Sequence, residues 1–193
     1  MQKSELTRAA ILAAAEEFFQ SHAFRDLTVG KLMTRAGLSR TAFYQYFGDL
    51  QEMMKAMLGQ VREAILLAIR DWLQAEGDPI PLIKQALSGL VSVCYQHGPF
   101  IKALADASTT DEKLEKAWRE ILTEFDVLVA ARIEAQQDQG LIPRFPAYPI
   151  AVALNRMDAY VFIHRFGHHP RASDQDTLDA LTRVWCLTLY GRT

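Results

Sequence analysis

Residues 28–47 combine hydroxyl, guanidinium and phenol side chains at spacings that suit recognition of another polymer. They predict two short helices joined through the sequence Ala-Gly-Leu-Ser, with Gly37 at the corner. Glycine permits the tight turn that such a unit needs, and Leu32 and Leu38 can pack its inside. Thr28 and Ser39 stand where the two helices would begin, and their hydroxyls can cap the first turns. This pattern predicts a helix-turn-helix.

In a helix-turn-helix the second helix lies in the major groove of DNA and aims its N-terminal residues at base edges. Arg40 is long enough to bind a guanine with two hydrogen bonds, and Thr41 can meet a thymine methyl or a phosphate. Tyr44 can reach a backbone oxygen. The alternative is a helical hairpin inside a core, in which Phe43, Tyr44 and Phe47 only pack.

The sequence gives little support for metal binding or catalysis. His164 and His168 have a metal-capable i, i+4 spacing, but Gly167 is expected to end their helix before the second histidine. Cys94 and His97 share a helix face without a third partner nearby, so nucleophilic catalysis is not expected. The sequence also lacks a glycine-rich phosphate loop. We therefore expect no enzyme activity, no cofactor and no metal.

The elements that must position these residues are predicted to be helices. Half of the residues are hydrophobic, 23% are charged, and ten glycines and seven prolines are too few for a turn-rich β fold. Apolar residues recur every three or four positions, which predicts an all-α fold of about nine helices. The predicted helices cover residues 5–22, 29–36, 39–47, 49–75, 80–97, 100–107, 111–139, 150–167 and 174–190.

The chain divides into a small N-terminal head and a larger body. Residues 1–47 hold six basic and four acidic residues, whereas the remainder holds fifteen and nineteen. Asp49 and Glu52 form a capping-box start for a helix of about 25 residues, which at 1.5 Å each is nearly 40 Å long. We predict a DNA-binding helix-turn-helix domain over 1–48 and a larger helical domain over 49–193.

Three short motifs resemble the head of the TetR family of transcriptional regulators. They are Leu27–Val29, Ala36–Ser39 and Phe43–Phe47, which follow an N-terminal amphipathic helix. The resemblance implies a dimeric repressor that binds a palindromic operator in double-stranded DNA and is released by a small hydrophobic ligand, with ligand binding and dimerisation in the domain over 49–193. It also implies a DNA face formed by Thr28, Ser39, Arg40, Thr41, Tyr44 and Tyr46.

The sequence departs from the family pattern at three positions. Leu50 stands where the family usually has a lysine that meets a phosphate, and Asp49 adds a negative charge beside it. Gly30 lies within a predicted helix, at a cost of up to about 1 kcal/mol relative to alanine. These departures predict weak, steeply salt-sensitive DNA binding. They leave open an alternative, a helical small-molecule-binding module whose DNA binding is weak or lost.

Two polar residues, Asn155 and Asp158, lie three apart in the most apolar predicted helix. A carboxyl group there must be hydrogen-bonded, paired, or beside a filled space. It could alternatively pair with Arg156 or Arg165 outside any pocket. The second half of the chain resembles one TetR-family member that has an amide at position 158, so the carboxyl could favour a ligand with a donor or a positive charge. This resemblance implies a ligand site, for which we predict Leu90, Cys94, Trp118, Leu122, Phe125, Val129, Asn155, Asp158, Phe162 and Trp185.

The last two predicted helices carry more apolar surface than one core needs. In the last helix Leu178, Leu181, Trp185 and Leu189 form one line, while Val184 and Leu187 point elsewhere. We expect these helices to pair with their copies in a two-fold homodimer, which sets the two recognition helices about 34–36 Å apart.

The sequence also bears on where the protein is located in the cell. The apolar stretches are too short to span a membrane, and the N-terminal residues lack the apolar region of a signal peptide. We expect a cytoplasmic protein with no membrane partner.

Overall fold

The computed structural model describes residues 3–192, and within that range the chain forms α-helices with no strand. This confirms the predicted all-α fold. Eight α-helices are present, together with a single-turn 3₁₀ helix at Phe24–Asp26. The helices are α1 (Lys3–Phe19), α2 (Val29–Arg35), α3 (Arg40–Tyr44), α4 (Leu50–Gln74), α5 (Pro79–Ala107), α6 (Glu112–Asp138), α7 (Ala147–Phe166) and α8 (Asp174–Tyr190).

The structure has one helix fewer than predicted because α5 runs through Gly98 and Pro99 without a break. A proline inside a helix removes one backbone hydrogen bond. Here both residues are buried, and a Cβ on Gly98 would lie 2.3 Å from the carbonyl oxygen of Phe166 in α7. Gly98 therefore marks a close approach of two helices rather than the predicted helix end.

The helix α4 begins as the sequence predicts. The Glu52 backbone N–H donates to Oδ1 of Asp49 at 2.7 Å, and the Glu52 carboxylate accepts from the Gly48 backbone N–H at 2.6 Å. These reciprocal bonds satisfy two donors that the helix itself leaves free. Beyond the other end of α4, Gly77 adopts a φ of 115°, which a residue with a side chain rarely does.

The helices pack in an N-terminal group and a larger C-terminal group that share one apolar core. In the N-terminal part, α1 packs on α2, and Ile11, Leu32 and Phe43 are fully buried. In the larger part, α4 lies against α5, α5 against α7 and α8, and α6 against α7. The boundary at residue 48 stays a prediction. None of the helices in residues 3–192 is both long and apolar enough to cross a bilayer.

Candidate DNA-binding surface and ligand cavity

The α2–α3 unit has helix-turn-helix geometry. The Lys31 backbone N–H donates to the Thr28 hydroxyl at 3.2 Å, and the Ala42 backbone N–H donates to the Ser39 hydroxyl at 3.3 Å. Between the helices, Gly37 has a φ of 67°. Both predicted caps and the predicted glycine corner are therefore present, and they fix the direction in which α3 leaves α2.

The predicted DNA face is mostly exposed. Phe43 and Phe47 are buried and pack, as the core-hairpin alternative requires, but Tyr44 lies between them with 61% of its surface exposed. Tyr46 follows the end of α3 and is half-buried against the core. The exposed members of the predicted face are Thr28, Ser39, Arg40, Thr41 and Tyr44.

The glycine inside α2 lies beside the recognition helix. A Cβ on Gly30 would lie 2.5 Å from Nη2 of Arg40. The Arg40 guanidinium thus lies against the backbone of α2. Because the Arg40 side chain is flexible and exposed, it could move away from a larger residue, so this contact does not by itself require glycine.

Asp49 and Leu50 have structural roles at the start of α4. Nζ of Lys113 in α6 lies 2.7 Å from Oδ2 of Asp49, and this bond together with the N–H of Glu52 lowers the pKa of the Asp49 carboxyl. Leu50 is half-buried and packs on the core. The negative charge at position 49 therefore has a local cation, and position 50 is used for packing.

A cavity of about 110 Å³ lies among α4, α5, α6, α7 and α8. All ten residues of the predicted ligand site line it. The sequence prediction missed its whole α4 wall, although those residues follow the apolar spacing of a buried helix face. The additional lining residues are Leu58, Val61, Ile65, Ile69, Trp72, Ile83, Ala86, Leu87, Ile101, Ile121 and Ala159.

Asp158 is the acidic group of this cavity, and it is only 4% exposed. Nε1 of Trp185 donates to its two oxygens at 3.2 and 3.1 Å. The alternative pairings are wrong, because Arg156 binds both oxygens of Asp126 and Arg165 donates to a threonine in α8. Asp158 therefore faces the cavity without an arginine partner.

Burial changes the ionisation of Asp158. Removal from water raises the pKa of its carboxyl to about 7, although the hydrogen bond from Trp185 acts in the opposite direction. Burial also raises the pKa of the Cys94 thiol, to which the negative charge of Asp158 contributes.

We predict that an Asp158→Asn variant removes a pH-dependent component of stability. Because the folded-state pKa of about 7 lies above the usual aspartate pKa of about 4, the folded protein holds this proton more tightly than the unfolded chain does. Its free energy of unfolding therefore falls as pH rises from about 4 to about 7. Urea unfolding between about pH 5 and about pH 8 should show a smaller decrease for the variant than for the wild type. Equal decreases would contradict the prediction.

Asn155 is held in place by a second buried carboxylate. Its side-chain NH₂ donates to Oδ1 of Asp126 at 3.0 Å, and Arg156 donates to the two oxygens of Asp126 at 3.0 and 2.7 Å. This network joins α6 to α7. It uses one N–H of the Asn155 amide, so the second N–H and the oxygen remain available as a donor and an acceptor.

The other residues considered for chemistry do not come together. Cys94 lines the cavity, while Nδ1 of His97 lies 3.2 Å from a carboxylate oxygen of Glu16 in α1. His164 and His168 are exposed on either side of the end of α7. Across residues 3–192 there is no group of three or more side chains able to hold a metal ion.

Comparisons with known proteins match both halves of the chain. Residues 11–57 match the family described as bacterial regulatory proteins, tetR family, and residues 83–191 match the C-terminal domain of the transcriptional regulator EthR. The second match covers more than half of the chain. The chain belongs to the TetR family of transcriptional regulators. Members of this family are regulators with an N-terminal DNA-binding domain and a C-terminal ligand-binding domain, and they are not enzymes.

Individual relatives agree with this assignment. The HTH-type transcriptional regulator EthR of Mycobacterium tuberculosis (strain ATCC 25618 / H37Rv) is 27% identical over 186 residues, which cover 94% of this chain and 86% of EthR. The SmeT–triclosan complex has a TM-score of 0.81 at 16% identity and covers 96% and 92% of the two chains. A TetR-family regulator from Syntrophomonas wolfei has a TM-score of 0.79 at 14% identity and covers 96% of each.

Proposed function

We propose that this TetR-family protein is a repressor that binds a palindromic operator as a homodimer and is released when a small hydrophobic ligand enters the cavity. The observation that carries the proposal is the position of α4. Its N-terminus follows the recognition helix after a short turn, and Leu58, Val61 and Ile65 on the same helix line the cavity. A displacement at the cavity therefore has a direct route to the DNA-binding surface.

The size of the cavity supports release by a ligand. Pockets for drug-sized ligands span roughly 300–1,000 Å³, whereas this cavity has about 110 Å³. A drug-sized ligand must therefore move the lining helices apart to enter this cavity. Since the interior is close-packed, such movement shifts whole helices rather than single side chains. The structure of SmeT with triclosan supports a small molecule within this kind of fold.

Two contacts connect the start of α4 to α6. Lys113 pairs with Asp49, and Nε2 of Gln51 donates to Oδ2 of Asp111 at 2.7 Å. Further along, Arg62 of α4 pairs with Glu124 of α6. Both helices line the cavity, so a ligand that separates them acts on the element that follows the recognition helix. The ligand would then make different contacts in the DNA-binding form and in the released form, as coupling between the cavity and the DNA-binding surface requires.

Exposed apolar residues on α7 and α8 support the homodimer. On α7, Tyr160 is 65% exposed and lies on the face that Ala153 and Met157 share with it. On α8, Val184 and Leu187 are exposed at the same three-residue spacing. Stripes of this spacing on adjacent helices can pack against their copies about a two-fold axis as a four-helix bundle.

We predict that Leu187→Lys converts the dimer into a monomer. Leu187 is 45% exposed on α8, and a lysine there would bury two charges near the two-fold axis, close to the exposed Arg183 one turn earlier. Sedimentation velocity should report a monomer for the variant and a dimer for the wild type at the same protein concentration.

The matched control is Leu67→Lys. Leu67 is 66% exposed on α4, outside the two interface helices, so this variant introduces the same charge at another exposed leucine and should stay dimeric. If both variants are dimers, or both are monomers, α7 and α8 do not form the interface.

The DNA-binding function is tested by a gel shift of the purified protein with DNA from upstream of its own gene, at increasing salt concentrations. The proposal expects retardation that competitor DNA of unrelated sequence does not abolish and that weakens with salt. A small-molecule-binding module without DNA binding would give no retarded species at low salt. That outcome would overturn the repressor proposal.

A further inference from the structure

One wall of the cavity presents a carboxylate whose hydrogen-bonding capacity is largely unused. An ionised carboxylate offers about four acceptor sites. Within residues 3–192, the Trp185 indole is the one side-chain donor to Asp158, and no lysine, arginine or histidine pairs with this carboxylate. Charged groups buried in proteins are normally paired or bound to an ion. A cationic group placed against this carboxylate would therefore be stabilised.

Asn155 is the second polar residue on this wall of the cavity. Asn155 lies three positions before Asp158 on α7, so both side chains share a helix face and both line the cavity. One N–H of the Asn155 amide bonds to Asp126, so its second N–H and its oxygen can serve a ligand as a donor and an acceptor. The preference of this wall is therefore set by Asp158, whose carboxylate favours a ligand that brings hydrogen-bond donors.

We propose that the effector is a hydrophobic amine whose ammonium group binds the Asp158 carboxylate while its apolar part occupies the remainder of the cavity. This assignment rests on the proposed role of the cavity as the effector site. An ammonium supplies both the missing charge and several N–H donors. An alcohol supplies one donor without charge, and a carboxylate ligand would place two like charges together.

The ionisation of Asp158 is consistent with a cationic ligand. Without a cation, burial keeps the pKa of the carboxyl near 7, and an ammonium beside it would favour the charged form. The other titratable group facing it is the Cys94 thiol of α5, whose pKa burial raises. The lining residues from α4, α6 and α8 do not titrate. Amine affinity should therefore rise as pH increases through about 7.

The test uses three probes with the same alkyl chain: protonated 1-octylamine, 1-octanol and octanoate. Each is titrated into the purified full-length protein by calorimetry at neutral pH. We expect octylammonium to bind at least about tenfold more tightly than octanol, because hydrogen bonds to charged groups are the stronger class. Octanoate should bind most weakly. Equal or tighter binding of octanol or octanoate, or no binding of octylammonium, would overturn the proposal.

Two variants test whether the preference for the amine depends on the Asp158 carboxylate. Asp158→Asn keeps the shape of the side chain without its charge, and it should bind octylammonium and octanol about equally. Glu120→Gln removes one negative charge from an exposed position on α6 and should keep the wild-type preference. Octanol binding by both variants shows that the cavity is intact. An amine preference that survives in Asp158→Asn would refute the assignment to this carboxylate.

The same probes separate this inference from the proposed repressor. If octanol releases the operator while octylammonium does not bind, the amine assignment fails and the repressor stands. If octylammonium binds with the expected preference and leaves the protein–DNA complex unchanged, the cation site stands and its effector role fails.

Discussion

A Gly98→Ala variant should lose about 3 kcal/mol of unfolding free energy, at the upper end of the usual range for overpacking a buried site. The added methyl group would lie 2.3 Å from the carbonyl oxygen of Phe166 and 2.7 Å from its Cβ. A flexible side chain could move away from such a contact, but a backbone carbonyl moves only with its helix. The separation of α5 and α7 must therefore increase, and urea unfolding at a fixed protein concentration would measure the loss.

Gly59→Ala is the matched control, because Gly59 is also inside a long helix. A Cβ there meets no atom within 4 Å. The change should stabilise the protein by about 0.5–1 kcal/mol, since alanine favours the helix more than glycine does. If Gly98→Ala also stabilises the protein, or has no effect, the two helices do not approach as closely as their backbones indicate.

The glycines of the chain show which parts of the fold the sequence could predict and which it could not. Gly37, Gly77 and Gly140 lie just beyond the ends of predicted helices, and each has a positive φ. Gly98, beside Pro99, has the same local signature but serves a close contact with Phe166, which is far along the chain. Local sequence reports conformational preference, whereas the absence of a Cβ at a helix crossing depends on the partner.

The cavity shows a similar division. Its polar residues stand out in sequence because Asn155 and Asp158 interrupt an apolar helix. The α4 wall, including Leu58 and Ile65, has the periodicity of any buried face, so nothing local separates cavity lining from solid core. Arg156 was a poor candidate partner for Asp158 on geometric grounds, because residues two apart on a helix point about 200° apart.

Leu50 is the departure from the family pattern that packing explains, whereas Gly30 and Asp49 each lie beside a cation. Gly30 lies beside the guanidinium of Arg40, and Leu50 packs while Lys113 from α6 supplies a cation beside Asp49. Neither contact could be predicted from the sequence, because each joins separate helices. These contacts still leave position 50 without the lysine that would meet a phosphate, so weak, salt-sensitive DNA binding stays a prediction.

Arg40→Ala should reduce affinity for the operator by at least about tenfold, because a bidentate contact to guanine contributes roughly 1–3 kcal/mol and a dimer makes it twice. Arg40 is exposed at the first position of α3, where a recognition helix points toward base edges. Its guanidinium lies beside Gly30 and is free to extend without breaking a packed contact of the core. Gel shifts with the DNA fragment bound by the wild type, compared with unrelated DNA, would measure the change.

The control for charge is Arg144→Ala. Arg144 is an exposed arginine in the connection after α6, where it pairs with Asp138, so this variant removes the same positive charge away from the recognition helix. It should bind the operator as the wild type does. A loss at Arg40 that is restricted to the operator indicates base recognition, whereas an equal loss on unrelated DNA, with a shallower salt dependence, would place Arg40 on a phosphate instead. Wild-type affinity in Arg40→Ala would mean that α3 is not the helix that reads the DNA.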